Sequence, residues 1–178
     1  MDVPSPAREG RFAAALRLAQ RAHDGQYRKG SSIPYIAHPL AVAALALQYG
    51  ADDEVASAAV LHDAVEDGGG RPMLHRIHWR IGHRVAAIVD GCTDAWATPK
   101  RPWEERKRDY IARLPSLHRP TKLVIACDKL DNLRATNDDL RTQGSRALEK
   151  FSAPPERLRW YYRECFRAVV DAIPFRLA

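Results

Sequence analysis

The sequence predicts an all-α fold in a single domain, and three observations carry that expectation. Apolar residues recur at the three-and-four spacing of a helix face through most of the chain. Alternating strand patterns are scarce, and the short apolar run LVIAC (residues 123–127) lies inside a longer helical repeat. Glycines and prolines cut the chain into helix-length pieces, with no internal repeat and no linker between them.

The elements follow in order. Phe12, Ala15, Leu16, Ala19 and Ala22 form one face of a first helix that runs to about Ala22 or His23. GQYRKGSSIPYIAHP is a loop with Gly25, Gly30, Pro34 and Pro39 as breakers. Pro39 sits in the first turn of a second helix, where its missing N–H is an orphan donor in any case. That helix buries Leu40, Ala43, Ala44 and Leu47 and stops at Gly50. Asp52 or Asp53 caps a third helix, DEVASAAVLHDAVED, read as continuous up to the glycine run 68–70. Further helices are expected from Pro72 to Ile81, His83 to about Val89, Trp103 to Leu114, Thr121 to about Arg134, and Pro155 to Ile173. Residues 1–10 are expected to be a flexible N-terminal segment, with the domain spanning 1–178.

Composition narrows the function classes. With 178 residues, 46% hydrophobic and 28% charged, the chain has the make-up of a globular domain with a continuous core. No apolar run approaches the roughly 20 residues that cross a bilayer, so no membrane partner is expected. Cys92, Cys127 and Cys165 are odd in number and contain no CxxC. This points to reduced thiols in a cytoplasm and against a cysteine-bound metal. The net charge of +6 favours anionic partners. The basic residues recur at Arg28-Lys29, across Lys100 to Arg108, and along Arg157 to Arg163. Charge alone does not separate a nucleic acid, a membrane surface or a phosphorylated small molecule from a merely soluble basic surface.

The chemistry concentrates in LHDAVED. On a continuous helix His62 and Glu66 are i, i+4, Asp63 and Glu66 are i, i+3, and Asp63 and Asp67 are i, i+4. Three carboxylates beside one histidine repel one another unless a cation lies among them. Imidazole plus carboxylate is the ligand mix that suits Mn²⁺, Fe²⁺ or Zn²⁺. A lone His-Asp pair is equally a solvated helix face, but two more residues join it. His38 opens the preceding helix, and Asp128 lies in the apolar stretch LVIACDKL, where an unpaired carboxylate is costly. The order H…HD…D on separate helices is the ligand pattern of the HD superfamily.

The segments ALRLAQRAHDGQYRKG, PYIAHPLAVAALAL, AAVLHDAVED, IGHRVAAIVDGCTD and ACDKLDNLR resemble, in the same order, the hydrolase domain of RelA/SpoT proteins, across roughly residues 12–136. The chain looks like the stand-alone version, the small alarmone hydrolases, so a single HD-domain helical bundle with a metal site between helices is expected, without a synthetase domain. The resemblance implies hydrolysis of the 3′-pyrophosphate of (p)ppGpp to GDP or GTP and pyrophosphate, usually with Mn²⁺, though another divalent ion would serve. It places the metal ligands on His38, His62, Asp63 and Asp128, and the acidic pair that acts on the attacking water on Glu66 and Asp67. Arg28 and Lys29 match residues that lie against the guanine and phosphates. Asn132 matches one that reaches the nucleotide. Arg157 and Tyr161 resemble a pair that closes the pocket, and ERKR at 105–108 is either near the pyrophosphate or a solvated face. His23 aligns with a histidine outside the metal set and reads as structural, and the four tryptophans read as packing. Relatives commonly carry Thr where Gly68 stands, Lys where Ile125 stands and Thr where Ala135 stands, so recognition of the nucleotide departs from theirs. A small-molecule nucleotide, rather than nucleic acid, is therefore the expected partner, and the oligomeric state is left open. Two other functions share this pattern: a different nucleotide phosphohydrolase, such as an NADPH 2′-phosphatase, and a catalytically silent nucleotide-binding HD domain.

Overall fold

The computed structural model describes residues 10–94, 101–174 and 177. Nine α-helices follow one another among them: α1 (Arg11–Ala22), α2 (Ala37–Gln48), α3 (Asp53–Leu61), α4 (Ala64–Gly68), α5 (Gly70–Arg80), α6 (His83–Cys92), α7 (Trp103–Arg113), α8 (Arg119–Gln143) and α9 (Pro155–Val169). No strand forms among the described residues. One isolated antiparallel bridge, Tyr27 to Pro34, closes the loop between α1 and α2. Most of the N-terminal segment expected to be flexible, and Trp96 and Lys100 with it, lies outside the described residues.

α3 is the central element, with every residue from Val55 to Leu61 buried. It packs against α1, α2 and α6, and α2 also packs on α8. Asp52 caps it, accepting a hydrogen bond from the Val55 amide at 2.9 Å, a cap worth about 1 kcal/mol. The larger core takes in Leu61, Val42, Val60, Ile77, Val85 and Val124. A smaller one joins Tyr110, Leu114, Ile125, Tyr161 and Cys165 from α7, the turn after it, α8 and α9. α8 is the wall between them, turning Val124 and Cys127 to the larger core and Ile125 and Ala126 to the smaller. Ile125 is therefore a packing residue. Asp128 is the last buried residue of that wall.

The second helix turns a different face inward from the one expected, burying Val42, Ala43, Leu45 and Ala46 and leaving Leu40, Ala44 and Leu47 exposed, and four further elements differ from the sequence expectation. The third helix is interrupted at His62-Asp63, giving α3 and α4. The cause is local: the His62 Nδ1–H donates to the Ala59 carbonyl at 2.8 Å, taking the acceptor that the Asp63 amide would use in an uninterrupted helix. The glycine run is a hinge as well as a stop, since Gly69 (φ 137°) ends α4 and Gly70 already starts α5. That φ suits glycine and few other residues. α8 extends nine residues past Arg134, its polar second half held by Thr136 and Thr142 hydroxyls bonded to carbonyls one turn back. α9 ends at Val169 and tightens into a 3-10 turn, Val170–Ala172. α4 also lies unusually close to α1. A Cβ on Gly68 would stand 3.0 Å from the Cβ of Ala22 and 3.4 Å from its carbonyl oxygen.

Candidate active site

Three backbone features bring the H…HD…D residues to one point. The first turn of α2 supplies His38, the break between α3 and α4 supplies His62 and Asp63, and the end of the buried half of α8 supplies Asp128. His38 Nε2 lies 3.2 Å from Asp128 Oδ1 and 3.5 Å from Asp63 Oδ2. His62 Nε2 lies 3.1 Å from Asp63 Oδ2 and 3.8 Å from Asp128 Oδ1. The two imidazoles meet edge to face with centroids 5.0 Å apart. His38, His62 and Asp128 can each offer a ligand atom with all three atoms within 4.8 Å of one another. The break at His62 is what aims its Nε2 inward, because Nδ1 is held by the Ala59 carbonyl. That Nε2 is buried and makes no well-directed hydrogen bond, although Asp63 Oδ2 lies 3.1 Å away, so the atom faces the carboxylates without being satisfied by them.

The electrostatics match. Burial pulls the pKa of His38 down, but hydrogen bonds to Asp128 and Asp131 outweigh it and hold it above the ordinary value. Burial likewise opposes the charged form of His62, and the charge of Asp63 with hydrogen bonds to Asp128 and Asp63 raises it well above the ordinary value. Burial pushes Asp63 up, and the charge of His62 reverses this and lowers it. Asp128 is likewise opposed by burial, yet Lys129 and the two histidines hold it well below the usual range. Two carboxylates beside two imidazoles favour positive charge between them, a role that a cation would take over.

The surrounding residues fix the four. The Tyr35 hydroxyl donates to Asp63 Oδ2 at 2.7 Å. Lys129 Nζ donates to Asp128 Oδ2 at 2.6 Å and Asn132 Nδ2 to Asp128 Oδ1 at 2.5 Å. His23 is buried outside the centre, its Nδ1 2.9 Å from Gln26 Oε1 and its ring 4.9 Å from that of Tyr35. Glu66, half-buried, and Asp67, exposed, occupy the first turn of α4 just beyond Asp63. Glu66 shares a hydrogen bond with Asp94, a buried carboxylate that also pairs with Arg106 and Lys107. Arg106 and Lys107 are thus turned inward and are not part of a solvated face.

Beside His38 opens a cavity of about 410 Å³, within the range of small-molecule sites. Arg28, Lys29 and Asn132 line it, as do Asp131, Lys150 and Tyr162. Arg28 reaches across to α8, donating to Asp131 Oδ2 at 2.8 Å and to Asn132 Oδ1 at 3.2 Å. Arg157 and Tyr161 are not brought to this wall. Arg157 pairs with Glu104 at 3.3 Å on the outside of α9, and Tyr161 is buried in the smaller core beneath Lys107 and Lys129. Sequence reasoning passed over Tyr35, Lys129, Asp131, Asp94, Lys150 and Tyr162. A second carboxylate one turn after Asp128 was the signal available for Asp131. The others become visible only when the helices are assembled.

A family model described as HD domain matches residues 15–152. The chain is 38% identical over 128 residues to the guanosine-3′,5′-bis(diphosphate) 3′-pyrophosphohydrolase MESH1 of Danio rerio, covering 71% of this chain and 66% of that protein. It is 37% identical over 126 residues to the MESH1 of Homo sapiens, covering 69% of this chain and 68% of that one. It therefore spans about two thirds of the length of these curated relatives. Among solved structures, a metazoan ortholog of SpoT described as hydrolyzing ppGpp superposes with a TM-score of 0.70 at 28% identity, over 97% of this chain and 88% of that one. The matched span includes the positions of His38, His62, Asp63 and Asp128. The chain belongs to the HD-domain family.

Proposed function

We propose that this protein is a metal-dependent phosphohydrolase that removes the 3′-pyrophosphate of (p)ppGpp, leaving GDP or GTP and pyrophosphate. The observation that carries the reading is the convergence of the His38 and His62 imidazoles with Asp63 and Asp128, beside a cavity lined by Arg28, Lys29 and Lys150 together with Asp131, Asp138 and Asp139. That donor set fits one divalent cation, and nitrogen with oxygen ligands suits Mn²⁺. His38, His62, Asp63 and Asp128 would hold it. When bound, such an ion lowers the pKa of water and polarises a phosphoryl oxygen. Tyr35 and Lys129 keep Asp63 and Asp128 ionised and oriented. Glu66 and Asp67, one turn beyond Asp63, position the attacking water and accept its proton. Arg28 and Lys29 hold the guanine and phosphates, with Asn132 on the ribose side. Tyr162 takes the wall position expected of Tyr161, which works from beneath by packing against Lys129, while Arg157 stays outside the cavity, paired with Glu104. Three free cysteines among the described residues, and no described helix long and apolar enough to cross a membrane, support a cytoplasmic setting.

The test is a release assay with Mn²⁺ over ppGpp, pppGpp, NADPH and ordinary nucleoside triphosphates. Pyrophosphate release from ppGpp is the expected result. Phosphate release from NADPH alone would move the reading to a 2′-phosphatase, and no release from any substrate would leave a nucleotide-binding domain.

A further inference from the structure

We infer that Asp131 is a positioning residue for His38, fixing its imidazole so that Nε2 faces the metal, and that it ties the Arg28 loop to the same carboxylate. The inference rests on the metal reading above. Asp131 Oδ2 lies 2.6 Å from His38 Nδ1. On the opposite edge of the ring, Nε2 is 3.2 Å from Asp128 Oδ1. The two carboxylates are three residues apart on α8, one helical turn, so a single rigid element grips both edges of one imidazole. His38 is 2% exposed, which leaves no water to replace either partner. A carboxylate on Nδ1 keeps the proton there and leaves the Nε2 lone pair for a metal, and it raises the basicity of the ring. Arg28 Nη1 donates to the same Oδ2 at 2.8 Å, and the two donors clamp that oxygen from two sides. The loop that lines the cavity is thereby joined to a metal ligand through one atom.

The experiment measures Mn²⁺ affinity of the full chain by competition with a fluorescent chelator for wild type, Asp131→Asn and Asp131→Ala. Loss of such an outer partner typically weakens metal binding about 10–100-fold, and this is expected for Asp131→Ala, with a smaller loss for Asp131→Asn. In ¹⁵N spectra of the imidazoles, His38 Nδ1 stays protonated in wild type and mixes tautomers in both variants. At saturating Mn²⁺ any loss that remains in the variants is expected in KM for ppGpp, because Asp131 also lines the cavity and holds Arg28. Asp131→Asn is close to isosteric and supplies a folded protein should Asp131→Ala fail to fold. Wild-type affinity and an unmixed tautomer in Asp131→Asn would overturn the inference alone. Failure of wild type to bind Mn²⁺ at all would overturn the metal reading, and the inference with it.

Discussion

Metal and pH act on the same four residues, and their linkage gives the most direct physical test of the centre. The perturbation is removal of the ion with a chelator at pH 6, 7 and 8. In the metal-free protein His38 and His62 have folded-state pKa values above the ordinary one. The stability they contribute is complete below about pH 6.5, the unfolded value, and is lost as pH rises through their folded values. Asp63 and Asp128 are depressed, so their contribution is present above about pH 3.9 and disappears only as pH falls through their lowered values. Between pH 6 and 8 the carboxylates therefore stay ionised, and any change of protonation at the centre falls on the imidazoles. A bound ion takes the place of the imidazole protons, and each proton released is worth about 1.4 kcal/mol per pH unit. At a hundredfold excess over Kd the ion stabilises by about 2.7 kcal/mol. For a chain of this size that is roughly 5–11 °C in Tm. The rise in Tm caused by Mn²⁺ should grow by about 3–5 °C per pH unit for each proton displaced. Differential scanning calorimetry with and without chelator reads both quantities. An ion-induced shift of equal size at pH 6 and pH 8 would refute His38 and His62 as ligands that give up protons.

Other expectations separate the remaining roles. Glu66→Gln and Asp67→Asn should retain the ion but lower kcat by on the order of 10²–10⁴, and wild-type kcat in both would make the pair structural. Arg28→Ala should raise KM for ppGpp by an amount worth roughly 0.5–2 kcal/mol. Arg28→Lys should recover little, because a single ammonium cannot make the two-pronged contact with Asp131 and Asn132; equal kinetics in all three proteins would remove Arg28 from recognition. Asp52→Ala should destabilise the fold by about 1 kcal/mol and lower Tm by roughly 2–4 °C, and an unchanged melt would show the α3 cap to be without effect.

The helices and their order were legible because apolar spacing and Gly/Pro punctuation are local signals. The four residues of the centre were legible for a different reason: the H…HD…D order carries a family resemblance, and Asp128 stands out as a carboxylate in an apolar stretch. The break at His62 was not, since it arises from a ring nitrogen competing for a backbone carbonyl, and a helical pattern continues smoothly through LHDAVED. The long second half of α8 has no fully buried residue, so periodicity had little hold on it past Arg134. Tyr161 and Tyr162 are adjacent aromatics on one helix, and the sequence pattern does not say which face turns to the cavity and which to the smaller core. Arg106 and Lys107 looked solvated because their partner, Asp94, is distant in sequence.

The close approach of Gly68 to Ala22 has a bearing on how the acidic pair is held. Glu66 and Asp67 immediately precede the point where α4 meets Ala22 of α1 through a glycine, so their position is gauged by the thickness of a glycine. The Thr that resembling proteins commonly carry here would bring a Cβ to 3.0 Å from that of Ala22. Grafting that Thr into this chain therefore does not simply restore a side chain. It acts as a shim that lifts α4 off α1 and carries both carboxylates with it, so the spacing and the residue that fills it have to be exchanged together.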